Sequence, residues 1–439
     1  MDLNRLTATE AARLIAARRI SAEELVVACL ARIEEREPVV RAWAFIDADR
    51  AVREARRLDR LKRPRGPLHG IPVGLKDIID TRGMPTEYNS PIYRDHRPRR
   101  DAEVVSRLRA AGAVIFGKTK TSEFAYLEPA NTRNPHNPRH TPGGSSSGSV
   151  AGVADFMMPL ALGTQTGGST IRPASYCGVF AFKPTYQRVP VTGIKALAPT
   201  FDTVGEIARS VEDLALLDSV LCARAEPRNT TRRGIRIGFC RTPFWTQTER
   251  STRNVLAKTA RALAAAGFDI QDVALPPEVE LVSDGFYVVT GAEAAWALAR
   301  EFRDHREQLS PVARRLIEHG GRLDADEVQR VRAATMHCAL AVDRLFDGYD
   351  ALLTPAAPGE AEKGNALGNN VFNRLWTAMH LPCLTIPAGT GPAGLPVGIQ
   401  LVARRGADRT LLGLGQRVAA LISERASAGR PRTADRADR

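Results

Sequence analysis

Histidine is scarce in this 439-residue chain, eight in all, and none falls within 142–185 or close behind it. That stretch reads PGGSSSGSVAGVADFMMPLALGTQTGGSTIRPASYCGVFAFKPT and holds two glycine-framed serine turns, so the absence weakens a Ser-His-Asp arrangement from the start. Six cysteines, Cys29, Cys177, Cys222, Cys240, Cys338 and Cys383, lie far apart with no C-x-x-C pair. Their spacing speaks against a zinc site and offers no disulfide framework. No apolar run approaches membrane-spanning length, and the N-terminus MDLNRLTATEAARLIAARRI lacks the h-region of a signal peptide. Neither GxxxxGK[ST] nor a strand-flanked GxGxxG occurs in the serine stretch, which argues against nucleotide binding there. The expectation is a soluble, cytoplasmic protein with no membrane partner.

What is present is a globular composition, 44% apolar and 25% charged. The net charge of +13 arises from 62 basic against 49 acidic residues, with arginine concentrated in 52–65, 94–109 and 425–439. These residues are scattered over helices and chain ends, which fits a solvated basic surface better than a nucleic-acid site.

Residues 1–65 read as helices packing on a core, with Thr7/Glu10 and Ser21/Glu24 at capping-box spacing. The main body spans 66–424. The short apolar run HGIPVGLKDI at 69–78 predicts a buried strand with Lys76 near its end, and AEVVSRLRAAGAVIFGKTK predicts a helix, a glycine turn and a strand at 113–116. Such alternation implies α/β layering. Residues 193–203 read as loop, 276–345 as mostly helix, and 350–355, 383–387 and 397–403 as strands, while 425–439 has no apolar anchor and reads as a disordered tail.

Ser145 and Ser169 each follow a Gly-Gly pair. A serine hydroxyl needs an activating base and donors for the oxyanion, and the turn at 166–169 offers consecutive backbone N–H groups beside a hydroxyl. Gly-Ser turns are more commonly linkers or phosphate loops, so GGSSSG alone says little. Lys76 is the candidate base. At a pKa of about 10.4 only roughly one lysine in a few thousand is neutral at pH 7, and a drop of three units costs about 4 kcal/mol. Desolvation on an apolar strand can impose that drop; the alternative is a lysine reaching out of the strand end or pairing with Asp77 or Asp80.

The combination of motifs resembles the amidase signature family. Its GGSS[SG]G…GTDTGGSIRxPA segment matches 143–148 and 163–174, its G-[IV]-P-V-G-[VL]-K-D matches 70–77, its D-T-x-G matches 202–205, and its G-L-P-x-G-x-Q matches 394–400. The resemblance covers roughly 5–420. It implies one large α/β domain with a mixed, twisted sheet covered by helices on both faces. It also implies a Ser-Ser-Lys triad: Ser169 as the acylated nucleophile, Ser145 as the bridging serine reached through a cis peptide, and Lys76 as general base. The amides of Thr166, Gly167, Gly168 and Ser169 would form the oxyanion hole, with Ser146, Asp77 and Asp202 in support. The implied reaction is hydrolysis of a small amide, with no metal or organic cofactor, in a homodimer such as many relatives form.

Two departures stand out. The common aspartate of GTDTGGS is Gln165, and Thr170 is inserted before Ile171-Arg172. Malonamidase-like members share GTQTGGSVIRPA, and by that similarity Arg172 would grip a substrate carboxylate, which guanidinium can do with two parallel hydrogen bonds. Two other readings are the A subunit of a tRNA-dependent amidotransferase, which hydrolyses glutamine inside a complex, and a non-catalytic assembly subunit. Substrate identity is expected to lie in 276–345 and in 355–380, including Asn370, Asn373 and Trp376, with the substrate tunnel opening between the serine turns and the helical middle region.

Overall fold

Both capping boxes form. The side chains of Thr7 and Ser21 accept from the backbone of Glu10 and Glu24, whose carboxylates return to the N-cap amides, and these open the helices Ala8–Ala16 and Ala22–Val40. In this computed structural model residues 2–126, 128–222 and 234–428 are described. Eleven strands among them form one sheet: β1 (Trp43–Ile46), β2 (Pro72–Lys76), β3 (Val114–Thr119), β4 (Leu160–Gln165), β5 (Phe180–Lys183), β6 (Thr203–Ala208), β7 (Arg236–Cys240), β8 (Asp269–Val273), β9 (Ala351–Pro355), β10 (Cys383–Thr390) and β11 (Pro396–Val402). Their order is β1-β3-β2-β4-β6-β5-β10-β11-β9-β7-β8. The runs β3-β2-β4 and β9-β7-β8 are parallel, and everything between β4 and β9 is antiparallel. The fold is therefore α/β with a large mixed sheet flanked by helices, as the sequence implies.

Central strands β2, β3, β4 and β6 are buried at every position, which needs apolar or small side chains facing both helical layers. One core cluster joins Val73, Leu75, Leu162, Ile207 and Ile399, and a second gathers Phe201, Phe286, Leu375 and Trp376 beside the serine turns. Gly148 lets the helix Ser147–Ala154 press against the strand layer, because a Cβ there would stand 2.1 Å from Ala42 O and 2.4 Å from Lys120 N.

Several local expectations need correction. The segment 1–65 is not helical throughout: Trp43–Ile46 is β1, paired antiparallel with β3. The chain after the serine turns carries β6 directly behind the expected loop. The terminal helix Asp408–Ala428 continues through the first four residues of the expected tail, whose remainder lies outside the described residues.

Candidate active site

Lys76 is the last residue of β2 and is completely buried. Its Nζ lies 2.7 Å from Ser145 Oγ and 2.8 Å from Thr164 Oγ1. Burial pulls the ammonium down from 10.5 to about 7, and the charge of Asp202 opposes that shift. Both partners are hydroxyls, which accept from a charged lysine or donate to a neutral one, so neither protonation state strands a polar atom.

The turn bearing Ser145 enters through a cis peptide between Gly144 and Ser145. Ser146 then ties the two serine turns together: its N–H donates to Ser169 O at 3.2 Å, its hydroxyl donates to Thr164 O at 3.1 Å, and that hydroxyl accepts from Thr164 N at 3.2 Å. This sets the turn that carries Ser145 against the turn that carries Ser169, although among the described residues no hydrogen bond joins their hydroxyls. Ser169, 9% exposed, opens into a cavity of about 170 Å³ whereas Ser145 is buried behind it.

Residues 166–169 form one wall of that cavity. Asp202 braces them: it accepts from Thr166 Oγ1 at 2.6 Å and from the amides of Leu197 and Ala198. Desolvation raises its carboxyl to about 6 against those bonds. Gln165, where the family pattern has aspartate, accepts through Oε1 from Thr170 N and Ile171 N and so caps the helix Ile171–Cys177. Its Nε2 donates to Thr377 Oγ1, which donates in turn to Gly167 O at 2.9 Å. An amide does both jobs; a carboxylate could do only the first.

The opposite wall comes from the helix Val279–Ala297, through Phe286, Tyr287 and Thr290, and from the segment 367–370. A cavity therefore lies between the serine turns and the helical middle region, where the substrate tunnel is expected. Arg172 lines the cavity too, 4% exposed; Nη2 donates to Gly144 O at 2.6 Å, while Nε has no partner among the described residues. No carboxylate stands among the described lining residues. Among the aromatic residues of these segments, Phe286 and Tyr287 line the cavity, while Phe372 and Trp376, the latter expected to bear on substrate identity, belong to the core. Asn373 donates to Ala356 O. His380 stacks on Tyr186 and contacts Thr200 O, and Cys177 and Cys383 are buried thiols raised by desolvation. Asp77 takes part elsewhere, facing Lys118 rather than Lys76.

The family described as Amidase matches residues 24–412. The chain belongs to the amidase signature family. Members of that family cleave amides, and this chain is an amide-cleaving enzyme by that membership. It is 35% identical to the A subunit of the glutamyl-tRNA(Gln) amidotransferase of Chloroflexus aurantiacus, over 94% of this chain and 96% of that one. It is 34% identical to the corresponding protein of Acidothermus cellulolyticus, over 97% and 96%. Among solved structures, native peptide amidase from Stenotrophomonas maltophilia superposes with a TM-score of 0.84 at 28% identity, covering 97% of this chain and 98% of that one. No helix among the described residues is long and apolar enough to cross a membrane.

Sequence reasoning misses Thr164 and Thr377. Thr164 is the penultimate residue of β4, and the parallel pairing of β4 with β2, rather than any local motif, sets it beside Lys76. Thr377 is more than two hundred residues from Gly167, and nothing local marks it.

Proposed function

We propose that the enzyme hydrolyses a small, carboxylate-bearing linear amide through a Ser169 acyl-enzyme, releasing ammonia or an amine. The observation that carries this reading is the buried Lys76 amine at hydrogen-bond distance from Ser145 Oγ, whose turn Ser146 ties to Ser169, a residue lining the cavity. Ser169 Oγ attacks the amide carbon, its proton passes to Ser145 Oγ, and the proton of Ser145 passes to neutral Lys76 Nζ. The tetrahedral oxyanion is held by N–H groups of 166–169, an effect worth about 3 to 4 kcal/mol per donor in acyl transfer. Collapse expels the amine, which takes the proton back along the same relay. Water then repeats the cycle on the ester, entering where the amine left. Arg172, desolvated and lining the cavity, is the group that takes the substrate carboxylate.

A second reading, glutamine hydrolysis as the A subunit of an amidotransferase, is favoured by the identity to those proteins. Free glutamine carries an α-ammonium as well as a carboxylate, and the one charged lining group among the described residues is a guanidinium. That balance favours an anionic amide over a zwitterionic one. The test is ammonia release from a panel of malonamate, short aliphatic amides, aryl-acetamides, ureido compounds and glutamine, with Ser169→Ala and Lys76→Ala alongside. Turnover of carboxylate-bearing amides that both variants lose supports the proposal. Turnover of glutamine alone, or only with a second protein chain, moves the assignment to the amidotransferase reading.

A further inference from the structure

The cavity wall facing the turn at 166–169 carries a second polar group whose orientation is fixed. Asn370 Oδ1 lies 3.2 Å from Arg374 Nη1 and 3.2 Å from Tyr287 Oη. Guanidinium only donates, so the atom facing it must be the oxygen, and the amide cannot be turned over without setting N–H against N–H. Arg374 is itself fixed. Its Nε donates to Ser283 O at 3.1 Å and Ser283 Oγ at 2.8 Å, and its guanidinium lies 5.1 Å from the Tyr287 ring. With the oxygen held at the back, the Nδ2 group projects over that turn, 2.7 Å from the place a Cβ on Gly167 would occupy. Among the described residues Nδ2 has no acceptor, and Asn370 lines the same cavity as Ser169 and Arg172.

A donor without an acceptor, aimed into a cavity that the Arg172 guanidinium also lines and that has no carboxylate among its described lining, describes a subsite for an acceptor-rich anion. We infer that Asn370 is a specificity-determining residue whose Nδ2 group, oriented by Arg374 and Tyr287, donates to the substrate carboxylate together with Arg172. The subsite selects amides bearing a carboxylate over amides that are neutral or bear an ammonium there. Arg374 and Tyr287 are positioning residues, acting through the oxygen of Asn370. This inference rests on the reading that amides are hydrolysed in this cavity.

The experiment has a binding arm and a turnover arm. In the binding arm, calorimetry measures malonate, a dicarboxylate probe, on the full-length protein and on Asn370→Leu, Asn370→Asp and Arg374→Leu. Loss of a hydrogen bond to a charged group weakens malonate about tenfold to a hundredfold in Asn370→Leu, and more in Asn370→Asp, where a carboxylate replaces the donor. Arg374→Leu loses about threefold to tenfold, and Arg374→Lys, which can still donate to the oxygen, restores most of it. In the turnover arm, the ratio of kcat/KM for malonamate to that for propionamide falls by the same factor in Asn370→Leu, through KM rather than kcat, with the neutral amide changed by less than about threefold.

Malonate affinity equal in Asn370→Leu and the parent, or weakened only by Asn370→Asp, overturns the donor role, as does failure of the parent to bind malonate. A wild-type protein that binds malonate with the expected losses but turns over no amide leaves the subsite standing and removes the hydrolase reading on which its purpose rests. The two failures are therefore distinguishable.

Discussion

Two lysines on adjacent parallel strands, Lys76 at the end of β2 and Lys118 within β3, are both wholly buried, and they have different surroundings. Lys118 Nζ donates to the carbonyl of Ile79 and to the hydroxyls of Thr86 and Thr81, with Asp77 Oδ1 at 3.7 Å. The carbonyl can only accept, and the carboxylate adds charge, so this pocket holds the protons on Lys118 even though burial pulls its pKa down. Lys76 sees two hydroxyls that serve either state and, among the described residues, no carboxylate within ion-pair distance. Burial alone therefore does not suit a lysine to the proposed role of base. Partners that tolerate the neutral amine do.

The largest test of this contrast exchanges each lysine for methionine. Lys76→Met is expected to abolish turnover, by at least about 10⁴-fold as for removal of an acting base in a serine hydrolase, while the protein stays folded. Lys118→Met leaves Asp77 buried without its cation and is expected to cost about 3 kcal/mol of unfolding free energy, with the folded fraction still turning over substrate. Urea titration and single-turnover rates on the same samples separate the two outcomes. If Lys118→Met is the inactive, stable variant, the roles are reversed.

The next effect is on pH. In the proposed relay neutral Lys76 is the working form, so kcat/KM should fall about tenfold per unit below an apparent pKa near 7. A profile flat between about pH 5.5 and 8 would exclude Lys76 as base. Asp202→Asn removes the charge that holds the lysine up, and it should move this acid limb to lower pH.

A smaller effect concerns stability. The folded pKa of Lys76 lies below the unfolded value, so the unfolded state binds the extra proton between about pH 7 and 10.5, and stability from this group rises with pH across that window. Below about pH 7 the full cost of burying the ammonium is present. After the two lost hydrogen bonds are counted, Lys76→Met should raise Tm by about 1–4 °C near pH 6.5, with the gain fading towards about pH 10. Scanning calorimetry at the two pH values reads it.

Smallest is the Gln165 link. Gln165→Glu keeps the cap on Thr170 and Ile171 but loses the donor to Thr377, and should lower kcat about threefold to tenfold with little change in KM. Gln165→Leu loses the cap as well and should add about 1–2 kcal/mol of destabilisation. Equal kcat in the glutamate variant and the parent would detach Thr377 from the orientation of Gly167.

Much of this site is legible in the order of the residues. Glycine-framed serines and a lysine on an apolar run are local features, and the Lys76 amine does lie at 2.7 Å from Ser145 Oγ, with the Ser169 turn bonded to Ser146. The capping boxes at Thr7 and Ser21 are equally legible, because caps span four residues. Strands β4 and β6 are not. LALGTQ and TVGEIA are buried on both faces, so they lack the alternation that marks a half-exposed strand, and their glycines read as turns. Trp43–Ile46 is four residues long between two helices, too short for its own period to stand out from theirs. Arg172, Gln165 and Asn370 can be named from the sequence but not oriented, since each is fixed by a partner far along the chain: Gly144 O, Thr377 and Tyr287.

The strand order also bears on how the chain is made. Ribosomal synthesis delivers β1 to β6 first and β7 to β9 next, two groups that share no ladder until β10 and β11 arrive and stitch β5 to β9. Until Val402 has left the exit tunnel, each half presents an open strand edge to its neighbours on the polysome. A nascent chain stalled before β10 therefore carries all three residues of the proposed relay and an unsealed sheet, and would be a client for chaperones rather than a slow enzyme.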